Sequence, residues 1–216
     1  MRPSPLLLAL LLHATLASGA DGISVREART FTPRQPAVGH TASHELVLHL
    51  YTFSTTRWNA DTLLAAVEQA APLLSGCGIA LARAHLHVIS APRELQFYST
   101  PLSRRLVSAI DAAKPALFFV EDTRNNPAFD AEAIGRANSA TRPELADTVW
   151  ITYGSRDLPY VIAHELVHVL SDSGQHSDEL GNLMREETTS RNTRLSQTQC
   201  ERLRSTGEAN GLLRRR

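Results

Sequence analysis

The chain has 216 residues, of which 43% are hydrophobic and 20% charged, and its 22 basic residues balance 22 acidic ones. This length fits a single domain with short tails, and the hydrophobic fraction is sufficient to bury a core. Because the formal net charge is zero, the composition does not indicate a protein that binds nucleic acid or an acidic membrane surface. We expect a globular domain with no nucleic-acid partner, whose oligomeric state the sequence leaves open.

The N-terminus has the pattern of a secretory signal peptide. Arg2 precedes the apolar run 6–12, and the small residues 17–20 follow. We therefore predict that residues 1–20 are removed and that the mature protein is secreted or periplasmic, without membrane attachment. A retained anchor helix is the alternative, although the apolar run is short for a membrane span. Residues 21–43 carry no clear periodicity and are expected to form a flexible lead-in or a short pro-segment.

The chain contains two cysteines, Cys77 and Cys200. In an exported protein an even pair predicts one disulfide bond. Closing so long a loop can stabilise the fold by about 4–5 kcal/mol on a chain-entropy model. Two buried free thiols are the alternative. A pair of cysteines cannot complete a four-cysteine zinc site, so any metal chemistry needs other ligands.

Alternating or continuous apolar runs predict strands, and apolar residues three to four apart predict helices. The predicted elements, in chain order, are strand 45–51, helix 59–75 with Asn59 as its cap, strand 79–89, a helix from Thr100, strand 116–120, strand 148–153, a helix from Pro159, and a last helix from a capping box of Ser196 and Gln199. Residues 122–146 are expected to form a long loop. This order predicts a mixed α/β fold with one sheet of about four strands.

The helix from Pro159 contains His164-Glu165-Leu166-Val167-His168, the one stretch that specifies a chemistry. Residues four apart share a face of an α-helix, so both imidazoles can reach the same metal ion. Glu165 can hold a water molecule against that metal, as in zinc hydrolases. A purely structural role would bury three polar side chains without a metal, which is costly.

A catalytic zinc ion needs three protein ligands and an open position for water, so a third ligand must lie downstream. Gly174 can adopt the positive φ that ends a helix sharply, and His176 can then return towards the metal. We predict His176 as the third ligand. The alternatives for this position are Glu186, Glu187, Asp172 and Asp178.

The sequence around this motif resembles the metzincin clan of zinc endopeptidases. Those enzymes follow the helix with a glycine turn, a third histidine and a tight turn containing methionine, and Asn182-Leu183-Met184 looks like that turn. The resemblance implies a metzincin-like α+β domain over residues 44–206, with a twisted sheet of about four to five strands, an active-site helix and a C-terminal helix. Residues 207–216 would be a solvated basic tail. Ser171 departs from the family's glycine, and His176 lies two residues later than usual.

The resemblance also implies an activity. The protein would be a secreted zinc metalloendopeptidase with one catalytic Zn²⁺ ion bound by His164, His168 and His176. Glu165 would act as the general base towards a zinc-bound water that attacks a peptide bond. Met184 would pack beneath the three histidines without binding the metal. A catalytically idle domain that binds peptides or proteins is the main alternative, and a hydrolase of non-protein amides is another.

In the family, the last strand before the site is an exposed sheet edge that pairs with an extended peptide or protein substrate. The residues expected to form this edge are Val149, Trp150, Ile151 and Thr152. Three further histidines lie on predicted strands. His85 and His87 share a strand face with Arg83, and a solvated face is a simpler interpretation of them than a second metal site. His49 is interpreted as an ordinary strand residue.

Overall fold

The computed structural model describes residues 22–34 and 42–216. The predicted signal peptide, residues 1–20, lies outside the described residues. The strands are β1 (Ser24–Phe31), β2 (His44–Phe53), β3 (Ile79–Ser90), β4 (Phe97–Tyr98), β5 (Ala116–Val120), β6 (Asp122–Thr123), β7 (Ala131–Ile134), β8 (Thr148–Thr152) and β9 (Leu213–Arg215). The helices are α1 (Ala60–Ser75), α2 (Thr100–Ile110), α3 (Leu158–Ser171) and α4 (Gln197–Ala209).

Seven strands form one mixed sheet in the order β1-β3-β2-β5-β8-β7, and β9 pairs with β2 beside this path. Strands β3, β2, β5 and β8 are parallel to their neighbours in that series, whereas β1, β7 and β9 run antiparallel to the strands they pair with. The short strands β4 and β6 form a separate two-stranded sheet. The predicted mixed α/β fold is confirmed, with more strands than the sequence indicates.

Apolar side chains cover both faces of the large sheet. On one face, alternate residues of β2, namely Leu46, Leu48 and Leu50, lie in the same core as residues of α1, α3 and α4. On the opposite face, Phe118 and Trp150 stack with ring centroids 4.2 Å apart in a second core that includes residues of α2. Helix α3 is therefore enclosed by the sheet, α1 and α4, which gives its side chains fixed positions.

The two predicted helix caps are present. The Asn59 side chain accepts hydrogen bonds from the backbone N–H groups of Asp61 and Thr62 at the start of α1. Ser196 and Gln199 form a reciprocal capping box at the start of α4. Each cap satisfies backbone donors that a helix end would otherwise leave unpaired.

Three sheet strands lie where the sequence does not predict them. The expected flexible lead-in over 21–43 contains β1, which pairs with β3. The expected loop over 122–146 contains β7, and the expected solvated tail over 207–216 contains β9, whose Leu213 pairs in register with Leu46. β1 and β9 contain many polar residues and β7 has only four residues, so their apolar periodicity is weak and their pairing depends on distant segments.

Cys77 and Cys200 form a disulfide bond across a sequence separation of 123 residues, as predicted. The bond joins the end of α1 to the first turns of α4, and both cysteines are buried. Among the residues that the structure describes, none of the helices has the length and apolar character needed to cross a membrane.

Candidate metal centre

Helix α3 is unusual because polar side chains are buried along with its apolar ones. Every residue from Val161 to Ser171 is buried, and the set includes His164, Glu165 and His168. A helix that is apolar on all sides is packed within a protein core. Three buried polar side chains in such a helix need partners, because burial without partners is costly.

The side chain that meets His164 and His168 is that of His176, the residue expected to be the third ligand. The Nε2 atom of His168 lies 3.0 Å from Nε2 of His164 and 3.2 Å from Nε2 of His176. Two nitrogen ligands bound to one tetrahedral zinc ion at 2.0–2.1 Å are about 3.3–3.4 Å apart. The three imidazoles therefore fit one zinc ion, and they form a group whose ligand atoms all lie within 4.8 Å of one another.

The alternative third ligands do not belong to this group. Glu186 and Glu187 line the same cleft as the histidines but lie outside the set of converging ligand atoms. Asp172 is engaged elsewhere, because its Oδ1 atom accepts a hydrogen bond of 2.6 Å from the backbone N–H of Ala137. Asp178 also lies outside the group.

Backbone carbonyls hold two of the imidazoles in position. Nδ1 of His164 donates to the carbonyl oxygen of Leu183 at 2.8 Å, and Nδ1 of His168 donates to that of Ser173 at 2.6 Å. These bonds place the proton on Nδ1 and leave Nε2 as the free ligand atom. Burial lowers the pKa of His164 and lowers that of His168 to about 4, so both rings are neutral and ready to bind a metal at pH 7.

The turn after the helix differs from the expectation at Gly174. Asp172 adopts the left-handed conformation, with φ of 46°, and caps α3, whereas Gly174 does not have a positive φ. The helix itself continues to Ser171, whose hydroxyl donates a hydrogen bond to the Val167 carbonyl. A short polar side chain such as Asp tolerates the left-handed region, so glycine is not required.

The predicted methionine turn lies directly against the centre. Met184 is buried in the core that contains α3, and its carbonyl accepts a hydrogen bond of 2.7 Å from the backbone N–H of Ser177. The Asn182 side chain accepts a bond of 2.9 Å from the Met184 N–H. The turn thus fixes the loop that carries His176 and also presents the Leu183 carbonyl to His164.

Glu165 is buried beside the histidines and lines the same cleft of about 870 Å³. Burial, reinforced by the negative charge of Glu132 on β7, raises the pKa of Glu165 to about 8. In the metal-free protein this carboxyl group is therefore mostly protonated at pH 7, and the positive charge of an ion held by the histidines would lower its pKa and favour the carboxylate form. The position of Glu165 next to the converging Nε2 atoms makes it the candidate base.

The structure corrects the prediction of the sheet edge. Val149, Trp150, Ile151 and Thr152 are buried in β8, which pairs with β5 on one side and with β7 on the other. Strand β7 ends the sheet, and its residues 131–133 line the cleft. Within the part of the chain that the structure describes, no further strand pairs with the outer edge of β7. The edge strand beside the centre is therefore β7, which lies in a segment that the sequence predicts to be a loop.

Comparisons with known proteins support the fold. The structure is similar to that of metalloproteinase-II from Bacteroides fragilis, with a TM-score of 0.54 and 16% sequence identity. The match covers 82% of this chain and 57% of that chain, so this protein spans little more than half the length of its structural relative. No sequence-family description matches the chain, and none of the curated proteins matches it by sequence.

Several residues that shape the centre carry little sequence signal. Leu183 and Ser173 contact the histidines through their backbone carbonyl groups. The identity of their side chains therefore does not indicate this role. Glu132 lies in a short strand that resembles a loop in sequence. Asn182 could have been identified, because an Asn two residues before Met184 is typical of a turn closed by its own side chain.

Proposed function

We propose that this protein is an exported zinc-dependent endopeptidase. The observation that carries the proposal is the convergence of three imidazole Nε2 atoms, from His164, His168 and His176, beside a buried Glu165. A zinc ion bound there would activate water and polarise a peptide carbonyl. The similarity of the fold to a metalloproteinase supports the proposal, and the disulfide bond fits an oxidising compartment.

The chain's own residues have distinct roles in this reaction. Glu165 accepts a proton from the attacking water and later transfers it to the leaving amine of the cleaved peptide. Residues 131–133 of β7 line the cleft, and the outer edge of this strand can pair with an extended substrate as an additional antiparallel or parallel strand. Such pairing aligns a peptide bond with the histidines and favours polypeptides over small amides.

The decisive experiment measures metal content and cleavage of an unfolded protein, with and without a chelator. We expect one bound zinc ion per chain and cleavage that the chelator abolishes. Glu165→Gln should retain zinc but lose at least about 10²-fold in turnover, because the base is removed and the ligands remain. Glu201→Gln, which changes an exposed residue on α4, is the matched control and should be fully active. Zinc binding without chelator-sensitive cleavage would favour the alternative, a catalytically idle domain that binds peptides or proteins.

A further inference from the structure

Three histidines lie close together on the sheet face opposite α3. Along β2, Leu48 and Leu50 point into the core that contains α3, so the alternating His49 points to the other face. His49 pairs in register with His85 of the parallel strand β3, and Tyr51 pairs with His87. The sheet therefore places three imidazoles side by side, away from the cleft.

Two of these imidazoles have the spacing of metal ligands. Nδ1 of His49 lies 3.2 Å from Nε2 of His87, the same separation as that between His168 and His176. Two nitrogen ligands of one ion are about 2.9–3.4 Å apart for square-planar to tetrahedral geometry with metal–nitrogen distances near 2.0–2.1 Å. Burial is the largest factor that lowers the pKa of His49, to about 4, and of His87, so both rings are neutral at pH 7.

The surroundings of the pair restrict its motion. The His87 ring stacks on Tyr51 with centroids 4.7 Å apart, and Tyr51 stacks on the buried Phe118 at 4.8 Å. The His85 ring stacks on His49 at 5.1 Å. Because the rings are held by neighbours, little conformational entropy remains to be lost when a ligand binds.

A carboxylate lies behind the cluster. Oε2 of Glu27, on β1, lies 3.4 Å from Nδ1 of His85, and the Thr30 hydroxyl lies 3.3 Å from the same nitrogen. Glu27 also accepts a hydrogen bond from Thr30. Nδ1 of His85 therefore has partners of its own, and the Glu27 carboxylate lies close enough to act electrostatically on both His49 and His87.

We propose that His49 and His87 form a second binding site for a divalent transition-metal ion, with water completing the coordination and Glu27 offsetting its charge. Two imidazole nitrogens favour Cu²⁺ over Ni²⁺ and Zn²⁺, following the general order of affinities for nitrogen ligands. Ca²⁺ and Mg²⁺ are disfavoured because they bind through oxygen. The ion would join β2 to β3 and has no part in the proposed peptidase reaction.

The test is a titration of the folded full-length protein after loading with one equivalent of Zn²⁺. Copper bound and zinc released are measured together as Cu²⁺ is added. Because Cu²⁺ also competes with Zn²⁺ for the three-histidine centre, we expect the copper bound to exceed the zinc released by one equivalent. His49→Asn and His87→Asn should each weaken this second binding at least about tenfold while retaining the first zinc ion. Arg83→Ala, on the same strand as His85 and His87 and exposed to solvent, is the control and should bind as the wild type does.

The same titration is repeated in a His168→Asn/His176→Asn variant, in which the three-histidine centre is removed. Retention of one Cu²⁺ ion there, and its loss on adding His49→Asn, would support the second site independently of the proposed function. If the wild-type protein binds no second ion, the contact between His49 and His87 is only a hydrogen bond between their rings, and the proposal is wrong. Unchanged binding in both His49→Asn and His87→Asn would equally overturn it.

Discussion

The side chains of Asn182 and Gln199 form a reciprocal amide pair. Nδ2 of Asn182 donates to Oε1 of Gln199 at 2.9 Å, and Nε2 of Gln199 donates to Oδ1 of Asn182 at 3.2 Å. Gln199 also caps α4, through a bond of 2.7 Å from the Ser196 backbone N–H. The methionine turn is thereby tied to the start of α4, and through the Leu183 carbonyl to His164.

Asn182→Ala should weaken both the fold and the metal centre. The substitution removes a buried side chain that satisfies the Met184 N–H and Gln199, so we expect a loss of about 1–3 kcal/mol in the free energy of unfolding. Zinc affinity should fall by about tenfold, because the Leu183 carbonyl would orient His164 less well. Urea denaturation and zinc competition measure the two effects. Gln197→Ala, at an exposed position on α4, is the control, and equal behaviour of the two variants would contradict the prediction.

Substitutions at the cleft can distinguish the third metal ligand. His176→Asn should lower zinc affinity by about 10²-fold or more, since a three-ligand site would be reduced to two. Glu186→Gln and Glu187→Gln should leave affinity nearly unchanged, because their carboxylates lie outside the converging ligand group. Competition with a chromogenic chelator provides the measurement. Loss of zinc in either glutamate variant, with retention in His176→Asn, would assign the ligand differently.

Alanine should be costly at one of the two glycines near the end of α3 and tolerated at the other. A Cβ atom at Gly135 would lie 2.9 Å from Oδ1 of Asp172, which is already bound to the Ala137 N–H. We expect Gly135→Ala to cost about 1–3 kcal/mol of stability, since the cap of α3 must shift. A Cβ at Gly174 would meet no atom within 4 Å, and Gly174→Ala should change stability by less than about 0.5 kcal/mol.

Thermal melting of the two glycine variants, together with their zinc content, tests this contrast. A large loss in Gly174→Ala would mean that the glycine itself is needed for the return of the chain to the metal. If Gly135→Ala leaves the stability unchanged, Asp172 can move without a cost in free energy.

Stability should fall as the pH drops through the range in which the unfolded histidines become protonated. The pKa of His49 is lowered to about 4 by burial, then by His87 and His85, against an opposing effect of Glu27. Between pH 6.5 and about 4 the unfolded chain therefore binds a proton that the folded chain excludes, which favours unfolding. Allowing for solvent screening, His49 accounts for a loss on the order of 1 kcal/mol. Its stabilising contribution is fully present above pH 6.5.

Urea denaturation at several pH values, with a chelator present throughout, measures this dependence. His49→Asn should show a flatter decline between pH 7 and 4 than the wild-type protein. Burial also lowers the pKa of His168, so this residue too makes the fold less stable as the pH falls. Some dependence of stability on pH should therefore remain in the variant. Identical pH profiles for the two proteins would show that His49 is not protected from protons in the folded state.

The sequence was sufficient to predict the parts of the molecule that local chemistry determines. Helix α1 begins at its Asn59 cap, and α4 at its Ser196–Gln199 box, because capping uses residues within a few positions of one another. The grouping of His164 with His168 follows from helix geometry alone. These features need no knowledge of distant contacts.

The parts that were missed depend on such contacts. Strand β9 is arginine-rich and forms only beside β2, where Arg214 and Arg216 pair with Glu45. Strand β7 has four residues, too few for a clear periodicity. The use of Asp172 instead of Gly174 as the helix cap reflects its fit against Gly135, a relationship across 37 positions that no local pattern contains.

The bond between Cys77 and Cys200 encloses most of the strands, α3 and the three histidines within one covalent ring. A backbone cut in any loop inside that ring leaves both pieces attached to each other. If the protein cuts itself, the nicked form keeps its full mass under non-reducing conditions and separates only after reduction. Sample purity, and any measurement of specific activity, must therefore be judged on reducing gels.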